Sequence, residues 1–364
     1  MESTSTKTNT KAIGYGNNHS FTSLGPIEFE RREPGPKDVA IDILYCGVCH
    51  SDLHQANNDW SNTIYPCVPG HEIVGRVTAT GAEVTKFKVG ETVAVGCMVD
   101  SCGVCENCKE NLEQYCEGPV GFTLTYNGPA KPDGTNTFGG YSDKIVVTEH
   151  FILKVPENLD VKAVAPILCA GVTTYSPLKH WKVEAGQKVG IAGLGGLGHM
   201  AVKIAAAMGA DVTVFSTSEE KESDARKFGA KDFVLSTDTD ALAKLELKFD
   251  FILDTISDAH DINPYIKTLK RDGTLAVVGL LLPFAEATNN AEVAFHRRNV
   301  VGSLIGGIAE TQEVLDFCGE HNIMPEIEII AMEDINDAYK RMSNGEVRYR
   351  YVIDVANTLS PTQA

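Results

Sequence analysis

Long apolar runs and clustered basic residues are both missing from this sequence of 364 residues. No stretch approaches the roughly 18 consecutive apolar residues that a membrane-spanning helix needs. The amino-terminal MESTSTKTNTK also has no apolar core of the kind that signal peptides carry. The formal net charge is −17, whereas binding to nucleic acid or to an acidic membrane needs clustered Lys and Arg. We therefore expect a cytoplasmic protein that binds neither membranes nor nucleic acid.

Ten cysteines are present, but a cytoplasmic chain keeps its thiols reduced. Four of them follow the spacing Cys-x2-Cys-x2-Cys-x7-Cys, namely Cys102, Cys105, Cys108 and Cys116. The residues between them are mostly small, polar or charged and supply no hydrophobic core, so we predict that the lobe 100–118 folds around zinc. Four thiolates leave no open coordination position, which predicts a structural zinc. The alternative is a pair of disulfides.

The hydrophobic pattern divides the chain into two domains. Between Lys11 and about Val155, short β-branched runs such as DVAIDILYCGV are separated by Gly and Pro, which predicts a largely β domain. From Lys188 onward, apolar runs such as KVGIAG and DFILDT alternate with helical segments, which predicts an α/β domain with a doubly wound parallel sheet. Two amphipathic helices and a final strand are expected to return to the first domain. The predicted boundaries are 1–160 with 308–364 and 161–307, with a ligand cleft between the domains.

A glycine-rich turn joins the first strand of the second domain to a helix. Strand KVGIA leads into Gly193-Leu194-Gly195-Gly196-Leu197-Gly198, and the helix LGHMAVKIAAAMG follows. This is the G-x-G-x-x-G motif in its required context of strand, turn and helix. Gly193 permits the tight turn, Gly195 lets the backbone approach a pyrophosphate, and Gly198 allows close helix packing. We therefore predict a Rossmann domain that binds a dinucleotide; the alternative is a glycine turn with a purely structural role.

The end of the second strand of this domain indicates which dinucleotide binds. An Asp or Glu there would hydrogen-bond the ribose 2′-hydroxyl of NAD and repel a 2′-phosphate. The strand DVTVFS ends instead in Ser216, Thr217 and Ser218, and Lys221 follows as a cation. This combination favours the 2′-phosphate of NADP. The alternative is that these residues only cap the next helix, since Ser and Thr are common caps and two glutamates stand nearby.

Three further residues form a candidate ligand set for a catalytic metal. Cys49 and His71 each follow a strand-like run, and Cys169 lies at the predicted domain junction. Two thiolates and an imidazole are a known ligand set of catalytic zinc, and they leave a position for water or a substrate oxygen. Spacing does not establish ligands that lie so far apart in the chain, and from pattern alone Cys169 reads equally well as a buried core thiol.

Six segments in a fixed order give the chain a family resemblance. They are GVCHSDLHQ, PGHEIVG, the four-cysteine lobe, ILCAGVTTYSPL, GLGGLGHMAVK and GSLIGG. Over nearly its whole length the sequence resembles the zinc-dependent medium-chain alcohol dehydrogenases, in particular the cinnamyl alcohol dehydrogenase-like branch with its microbial NADPH-dependent aldehyde reductases. The resemblance implies a largely β, GroES-like catalytic domain, a Rossmann domain, and two zinc ions, one catalytic and one structural. It also implies that Cys49, His71 and Cys169 bind the catalytic zinc.

The resemblance further implies roles for residues around that zinc. Glu72 resembles a carboxylate that can replace water on the metal, and Asp52 resembles the group that orients His71. Ser51 resembles a relay hydroxyl beside the reacting oxygen, and His54 the outer base that passes the proton to solvent. Read without the family, Asp52 is an ordinary helix-start residue and His54 is a surface histidine.

The remaining implied positions line the cofactor and the substrate. Cofactor contacts are implied for His50 at the phosphates, Thr173 near the nicotinamide, and Val278, Gly279, Ser303 and Ile305. Pocket walls are implied for Trp60, Cys97, Met98 and Leu304, each of which reads alternatively as core packing. The plant lignin enzymes carry a tryptophan shortly after the zinc lobe, whereas CEGPVGFTLTYNG has none. We therefore expect a broad range of aromatic and aliphatic aldehydes rather than cinnamyl specificity.

The expected activity is NADPH-dependent reduction of aldehydes and the reverse oxidation of primary alcohols. One alternative is reduction of an activated C=C or imine bond, although relatives devoted to C=C reduction often lack the zinc ligands. A second is a non-catalytic redox sensor that binds zinc and nucleotide. The strand NVVGSLIGG resembles the edge strand through which relatives form dimers, which predicts a homodimer; the alternative is an edge that stays covered within one chain.

Overall fold

The structure is a computed structural model, and it describes residues 9–128, 136–279 and 282–359. Its strands are β1 (Asn9–Gly16), β2 (Gly25–Arg32), β3 (Asp38–Val48), β4 (Ile73–Thr80), β5 (Thr92–Val95), β6 (Met98–Asp100), β7 (Thr123–Leu124), β8 (Lys144–Thr148), β9 (Leu153–Lys154), β10 (Lys188–Ala192), β11 (Asp211–Ser216), β12 (Asp232–Leu235), β13 (Phe249–Asp254), β14 (Leu269–Val277), β15 (Asn299–Gly302), β16 (Ile327–Ile330) and β17 (Arg350–Asp354). Its helices are α1 (His50–Asn57), α2 (Glu106–Lys109), α3 (Val161–Val164), α4 (Ala170–His180), α5 (Gly198–Ala207), α6 (Glu222–Lys227), α7 (Thr239–Ala243), α8 (Asn263–Thr268), α9 (Asn290–Ala294), α10 (Ile308–His321), α11 (Ile335–Ser343) and α12 (Val355–Thr358). These elements form two compact units, Met1–Cys169 with Gly307–Ala364 (unit 1) and Ala170–Gly306 (unit 2).

Unit 1 is built on a seven-stranded sheet of mixed direction. The strand order is β16-β17-β3-β4-β5-β9, and β8 also pairs with β3. The pair of β16 and β17 is parallel and the other pairs are antiparallel. Strand β3 coincides with the predicted run DVAIDILYCGV, and its Val39, Ile41 and Ile43 are buried together because alternate residues of a strand share a face. The largely β domain predicted from the sequence is confirmed.

Unit 2 is built on a six-stranded parallel sheet. The strand order is β12-β11-β10-β13-β14-β15 and all of these pairs are parallel. The order reverses between β10 and β13, which confirms the predicted doubly wound arrangement and sets a ligand site outside the carboxyl ends of these strands. Ile191, Val212 and Val214 are fully buried, as expected for parallel strands whose two faces are both covered.

The border between the units differs from the predicted one. Residues 161–169, predicted to belong to the second domain, lie in unit 1, and the return to unit 1 begins at Gly307 rather than at residue 308. Helix α3 packs against β4 and β17, and the 3-10 turn Ala165–Leu168 packs against β3, β4 and β5. The segment is helical, so its periodicity alone did not show which core it joins. As a result, Cys169 belongs to unit 1.

No single helix among the described residues is long and apolar enough to cross a membrane. The consecutive segments Val161–Leu168 and Ala170–His180 are together long and apolar enough, by length and composition alone. Buried core helices often meet the same criterion.

Candidate active site

The carboxylate of Asp52 organises the start of helix α1. It accepts a hydrogen bond from the Cys49 amide at 2.8 Å, at the point where β3 passes into the helix. It also accepts hydrogen bonds from His71 Nδ1 at 2.9 Å, the Gly70 amide at 3.1 Å and the Tyr141 hydroxyl at 3.1 Å. A carboxylate only accepts, so His71 carries its hydrogen on Nδ1 and Nε2 is left as a lone-pair donor. Asp52 therefore does both jobs considered from the sequence, since it caps a helix and orients His71.

Four buried side chains bring their ligand atoms together beside this helix. A sulfur from Cys49, a sulfur from Cys169, a ring nitrogen of His71 and a carboxylate oxygen of Glu72 all lie within 4.8 Å of one another. The two sulfur atoms are 4.0 Å apart. Thiolates with an imidazole are a donor set suited to zinc. The structure thus brings together the four residues that the family resemblance places at the catalytic metal.

Glu72 links the other three members of this cluster to a buried arginine. Arg350, the first residue of β17, forms an ion pair with Glu72 Oε1. Glu72 Oε2 is buried and has no hydrogen-bond partner among the described residues. A Cβ atom at Gly47 would lie 1.9 Å from that oxygen, so position 47 accepts only glycine. Burial raises the pKa of Glu72 to about 7 although the Arg350 cation opposes this. A buried oxygen without a partner, next to two thiols and an imidazole, fits a divalent metal ion.

The two thiols of the cluster differ in acidity. The hydrogen bond between them lowers the pKa of Cys49 and raises the pKa of Cys169. The positive charge of Arg350 further favours the Cys49 thiolate. Cys49 also stands at the amino-terminal end of α1, where the helix dipole favours negative charge. Cys49 is therefore the first of the pair to ionise, and the thiolate is the form that binds metals.

Helix α1 also carries the predicted relay residues. Ser51 Oγ lies 3.7 Å from Cys49 Sγ. One turn later, His54 Nδ1 is hydrogen-bonded to Asp59 Oδ2 at 2.7 Å, and His54 Nε2 is buried with no hydrogen-bond partner in the described part of the chain. The Trp60 ring packs edge-on against His54 with ring centroids 6.0 Å apart. With a side chain only 15% exposed, His54 is a fixed imidazole rather than a free surface histidine.

The other predicted positions in unit 1 differ in exposure. His50 is exposed at the start of α1, with its ring 6.2 Å from that of His54. Cys97 is half-buried, and its sulfur lies 3.6 Å from the Leu168 carbonyl oxygen. Met98 is 2% exposed and pairs with Leu124 between β6 and β7, which is what core packing would give.

The cysteines of the predicted structural-zinc lobe also converge. Their four sulfur atoms lie within 4.8 Å of one another. The amides of Val104 and Cys105 donate to Cys102 Sγ at 3.5 and 3.3 Å, and these bonds lower the pKa of Cys102 to about 6. All ten cysteines of the chain lie in described residues and are free thiols, so the disulfide alternative is not seen. Four sulfurs arranged in this way fit a closed tetrahedral zinc site.

The glycine-rich turn of unit 2 has the shape that dinucleotide binding needs. Gly193 has φ 89°, a left-handed conformation that favours glycine. A Cβ atom at Gly198 would lie 2.1 Å from the Gly193 carbonyl oxygen, so α5 starts in contact with the turn. A Cβ atom at Gly195 would meet no atom within 4 Å, so this position faces open space. Leu194, Gly196 and Leu197 complete the turn, which leaves amides at the start of α5 for a pyrophosphate.

The turn after β11 contacts the glycine-rich turn through one cation. Lys221 Nζ donates a hydrogen bond to the Leu194 carbonyl oxygen at 3.1 Å. The Ser216 hydroxyl accepts from the Ser218 amide at 3.2 Å, and Thr217 is exposed. The two glutamates that follow are exposed as well. A positive charge thus lies against the turn predicted to hold the pyrophosphate.

The other predicted contacts in unit 2 follow the carboxyl ends of strands or lie on α4. They are Val278 and Gly279 after β14, Ser303, Leu304 and Ile305 after β15, and Thr173 on α4. A Cβ atom at Gly279 would lie 2.0 Å from the Ile256 carbonyl oxygen, so the backbones pack closely there. The Thr173 hydroxyl is buried with no hydrogen-bond partner among the described residues. Carboxyl ends of parallel strands are where sheets of this type bind ligands.

Sequence reasoning missed three residues of the site. Asp59 had only one signal, an acidic side chain five positions after His54. Tyr141 lies in a loop whose carbonyl oxygens are bound by the buried Arg31, and its link to Asp52 depends on tertiary packing. Arg350 stands in a run that indicates a strand and nothing about its ion pair.

Comparisons with known proteins agree with this architecture. Two family models match the chain, one described as alcohol dehydrogenase GroES-like domain over residues 35–157 and one as zinc-binding dehydrogenase over residues 196–320. The chain is 51% identical to aldehyde reductase YahK of Escherichia coli, covering 91% of this chain and 94% of YahK. It is 53% identical to NADP-dependent alcohol dehydrogenase C 1 of Mycolicibacterium smegmatis, covering 91% and 94%. CAD from Helicobacter pylori, solved in complex with NADP(H), superposes with a TM-score of 0.89 at 44% identity, covering 96% and 100%.

Proposed function

Because the chain belongs to the zinc-type medium-chain alcohol dehydrogenase family, we propose that it transfers hydride reversibly between NADP(H) and aldehydes, interconverting aldehydes and primary alcohols. The observation that carries this proposal is the buried cluster of Cys49, His71, Glu72 and Cys169, whose ligand atoms lie within 4.8 Å of one another. The names of two relatives, aldehyde reductase and NADP-dependent alcohol dehydrogenase, point to the same chemistry.

The chain's own residues supply orientation and proton transfer for this reaction. Zinc held by the cluster would act as a Lewis acid toward the carbonyl oxygen, and NADPH would supply the hydride. Ser51 donates a hydrogen bond to that oxygen as negative charge develops on it. The hydrogen bond to Asp59 keeps a proton on His54 Nδ1, so Nε2 is the nitrogen that gives or takes the transferred proton. In the oxidation direction the same groups remove the proton from the alcohol.

The cofactor we assign is NADP(H) rather than NAD(H). Strand β11 ends in Ser216, a position where NAD enzymes of this fold carry a carboxylate for the ribose hydroxyls. Lys221 is hydrogen-bonded to the glycine-rich turn, and a cation beside this turn supports the binding of a 2′-phosphate. An NADP-dependent relative and a structural neighbour in complex with NADP(H) support the assignment.

We also assign two zinc ions per chain. One is catalytic, at the cluster of unit 1. The other is structural, in the lobe 100–118, where four sulfurs converge in a segment with little apolar content. The exposure of Val104, at 70%, supports a lobe that has no hydrophobic core and so depends on its metal.

The substrates we expect are aromatic and aliphatic aldehydes of several kinds. The pocket candidates of unit 1, Trp60 and Cys97, are apolar, which suits such aldehydes better than a sugar. The segment after the zinc lobe, CEGPVGFTLTYNG, offers Tyr126 but no tryptophan. A broad aldehyde reductase fits these features better than a cinnamyl-specific enzyme.

A cytoplasmic homodimer is the assembly we propose. Strand β15 is an edge strand of the unit 2 sheet, and a groove of about 500 Å³ lies along it. Phe295 is 85% exposed and Leu282 is 51% exposed in the chain segments before this strand. Light scattering of the purified protein should give the mass of two chains, and Phe295→Glu should shift the equilibrium toward one. A monomeric wild-type protein at micromolar concentration would contradict the dimer.

The test of the proposed activity is NADPH consumption against a panel of aromatic and aliphatic aldehydes, with NADH and an enone as controls. We expect turnover of several aldehydes with NADPH and much slower turnover with NADH. Turnover of the enone alone would favour reduction of C=C bonds. Absence of any turnover, with zinc and NADPH both bound, would favour a sensor.

A matched pair of variants tests the metal cluster. Cys49→Ser removes one predicted zinc ligand and should abolish turnover while NADPH still binds. Cys67→Ser changes a thiol that is also buried but lies outside the cluster, and it should leave turnover within about twofold of wild type. Equal activities in the two variants would refute a catalytic metal at Cys49.

A further inference from the structure

One acidic side chain of the four-cysteine lobe binds the start of helix α10. Glu113 is 1% exposed, and its Oε2 accepts a hydrogen bond from the Ile308 amide at 3.1 Å. Its Oε1 accepts from His150 Nε2 at 2.8 Å, so both oxygens are engaged. A carboxylate at the first amide of a helix of 14 residues is favoured by the helix dipole. Glu113 thus ties the lobe to α10.

At this contact the backbone of Gly307 packs closely against the lobe. A Cβ atom at Gly307 would lie 1.9 Å from the Asn111 carbonyl oxygen and 2.7 Å from Glu113 Oε2. Asn111 and Glu113 both lie between Cys108 and Cys116, so the part of the lobe that presses on Gly307 is enclosed by two predicted zinc ligands. The folded lobe therefore contributes to the position of Gly307, together with the hydrogen bonds from Thr311 to the Gly307 carbonyl oxygen.

The residues just before Gly307 contain a strained backbone. Ile305 has φ 37°, a left-handed conformation that is unfavourable for a β-branched residue. Such conformations persist when the surrounding structure fixes them. Upstream, the Ser303 amide is hydrogen-bonded to the Val277 carbonyl oxygen at 3.1 Å. Downstream, the Gly307 carbonyl oxygen accepts from the Thr311 amide at 2.9 Å and from the Thr311 hydroxyl at 2.8 Å, and the Ile308 amide donates to Glu113.

We propose that the structural-zinc lobe, acting through Glu113, holds Ile305 in this conformation and thereby sets the affinity for the cofactor. The proposal rests on the proposed function in one respect, that Ser303 and Ile305 contact NADP(H). Glu113 is a positioning residue, because it acts on the cofactor site only through the backbone from Ile308 back to Ile305. The zinc of the lobe then has two effects, folding the lobe and supporting cofactor binding.

The first experiment measures the NADPH dissociation constant of Glu113→Ala by cofactor fluorescence, with zinc content determined on the same sample. We expect two zinc ions per chain and a dissociation constant raised roughly tenfold. Glu110→Ala changes an exposed acid of the same lobe and should leave the constant unchanged. An unchanged constant in Glu113→Ala with full zinc content would overturn the proposal.

A second variant covers the case in which Glu113→Ala loses zinc or fails to fold. Gly307→Ala disturbs the same contact from the helix side and leaves the amino-acid sequence of the lobe unchanged. It should also weaken NADPH binding roughly tenfold with both zinc ions retained. An unchanged dissociation constant in this variant would overturn the proposal as well.

A double-mutant cycle tests the role of strain. Ile305→Gly removes the conformational cost of the left-handed backbone. In that background Glu113→Ala should weaken NADPH binding by less than about twofold, because the clamp no longer holds a strained residue. If Glu113→Ala weakens NADPH binding equally with and without Ile305→Gly, strain at Ile305 does not connect Glu113 to the cofactor site. A wild-type protein that binds no NADPH would instead contradict the proposed function, so the two failures are distinguishable.

Discussion

The hydrogen bond between His54 and Asp59 determines, at the scale of single residues, which ring nitrogen can exchange a proton. His54→Gln removes the exchanging group and should lower kcat roughly 100-fold, in line with general acid–base catalysis, while the NADPH dissociation constant stays unchanged. Asp59→Asn should lower kcat by about tenfold, because an amide can donate to Nδ1 and so favour the wrong tautomer. Steady-state kinetics and fluorescence titration measure the two quantities.

Added imidazole is the control for this prediction. It should restore part of the activity of His54→Gln, because it replaces the missing proton carrier, and it should have no effect on wild type. Full activity in both variants without imidazole would show that the proton leaves by another route.

At the same scale, we predict that Lys221 contributes to the choice of cofactor. Lys221→Ala removes a cation from the turn next to the glycine-rich loop. A charged hydrogen bond to phosphate contributes about 1.5–3 kcal/mol, so the NADPH dissociation constant should rise roughly tenfold to a hundredfold, while that of NADH stays the same. Lys227→Ala, on the following helix, is the matched control and should change neither. Parallel losses for both cofactors would show that Lys221 supports the turn rather than the 2′-phosphate.

The residues that the sequence predicted without the family resemblance are mainly those whose chemistry depends on local spacing. Cys102 and Cys116 lie in a short spaced motif, and Gly193 and Gly198 lie in another, so the amino-acid sequence alone locates both sites. Arg350 could not be predicted in this way, because 278 positions separate it from Glu72. The two meet because β17 and β4 both pair with β3 in the sheet, and Glu72 directly precedes β4.

At the scale of secondary-structure elements, His260 in the segment after β13 pairs with Asp254, the last residue of that strand. His260 Nε2 is 2.9 Å from Asp254 Oδ2, and His260 Nδ1 is 2.8 Å from the Asp258 carbonyl oxygen. Both partners are acceptors, so both hydrogen bonds form together when both ring nitrogens carry hydrogen, as they do in the cationic ring. The hydrogen bond to Asp254 raises the pKa of His260, with burial opposing. Asp254 is fully buried at the end of its strand.

This raised pKa predicts a pH dependence of stability. The stabilisation by His260 is fully present below the unfolded-state pKa of about 6.5 and is lost as the pH rises through the higher folded-state value. The difference in unfolding free energy between wild type and His260→Gln should therefore be largest below about pH 6.5 and shrink above it. Urea unfolding across this range measures the difference. His19→Gln, at an exposed histidine, should show no such trend; a gap that grows with pH would contradict the assignment.

A helix or strand could be predicted from the sequence where its apolar pattern fitted only one type of secondary structure. Strand β3 coincides with its predicted run. The strand pattern, the glycines and the helix pattern together predicted β10 and the turn that follows it. Residues 161–169 were predicted in the second domain and lie in unit 1, because the periodicity of a short apolar helix does not show which core it joins. Which core it joins is settled by contacts of α3 with β4 and β17, and these are not visible in periodicity.

At the scale of the whole molecule, the two proposed metal sites should differ in what they stabilise. The cluster with Cys169 lies in a unit whose sheet supplies its own core, whereas the lobe with Cys105 has four sulfurs and little apolar packing. Cys105→Ser should therefore lose one zinc and about 3 kcal/mol or more of stability, which is roughly 6 to 12 °C in Tm. Cys169→Ser should lose the other zinc and all turnover with a clearly smaller change in Tm.

Metal analysis, thermal unfolding and limited proteolysis of the two variants separate these outcomes. Proteolytic cuts in Cys105→Ser should fall within the lobe 100–118, because chain that has lost its metal and has no core of its own unfolds locally first. Since Glu113 belongs to the same lobe, this variant should also bind NADPH more weakly, whereas Cys169→Ser should bind it normally. Equal thermal losses in the two variants, with cuts spread over both units, would show that the lobe is an ordinary part of one cooperative fold. Its metal would then have no separate role in holding α10 and the residues before it.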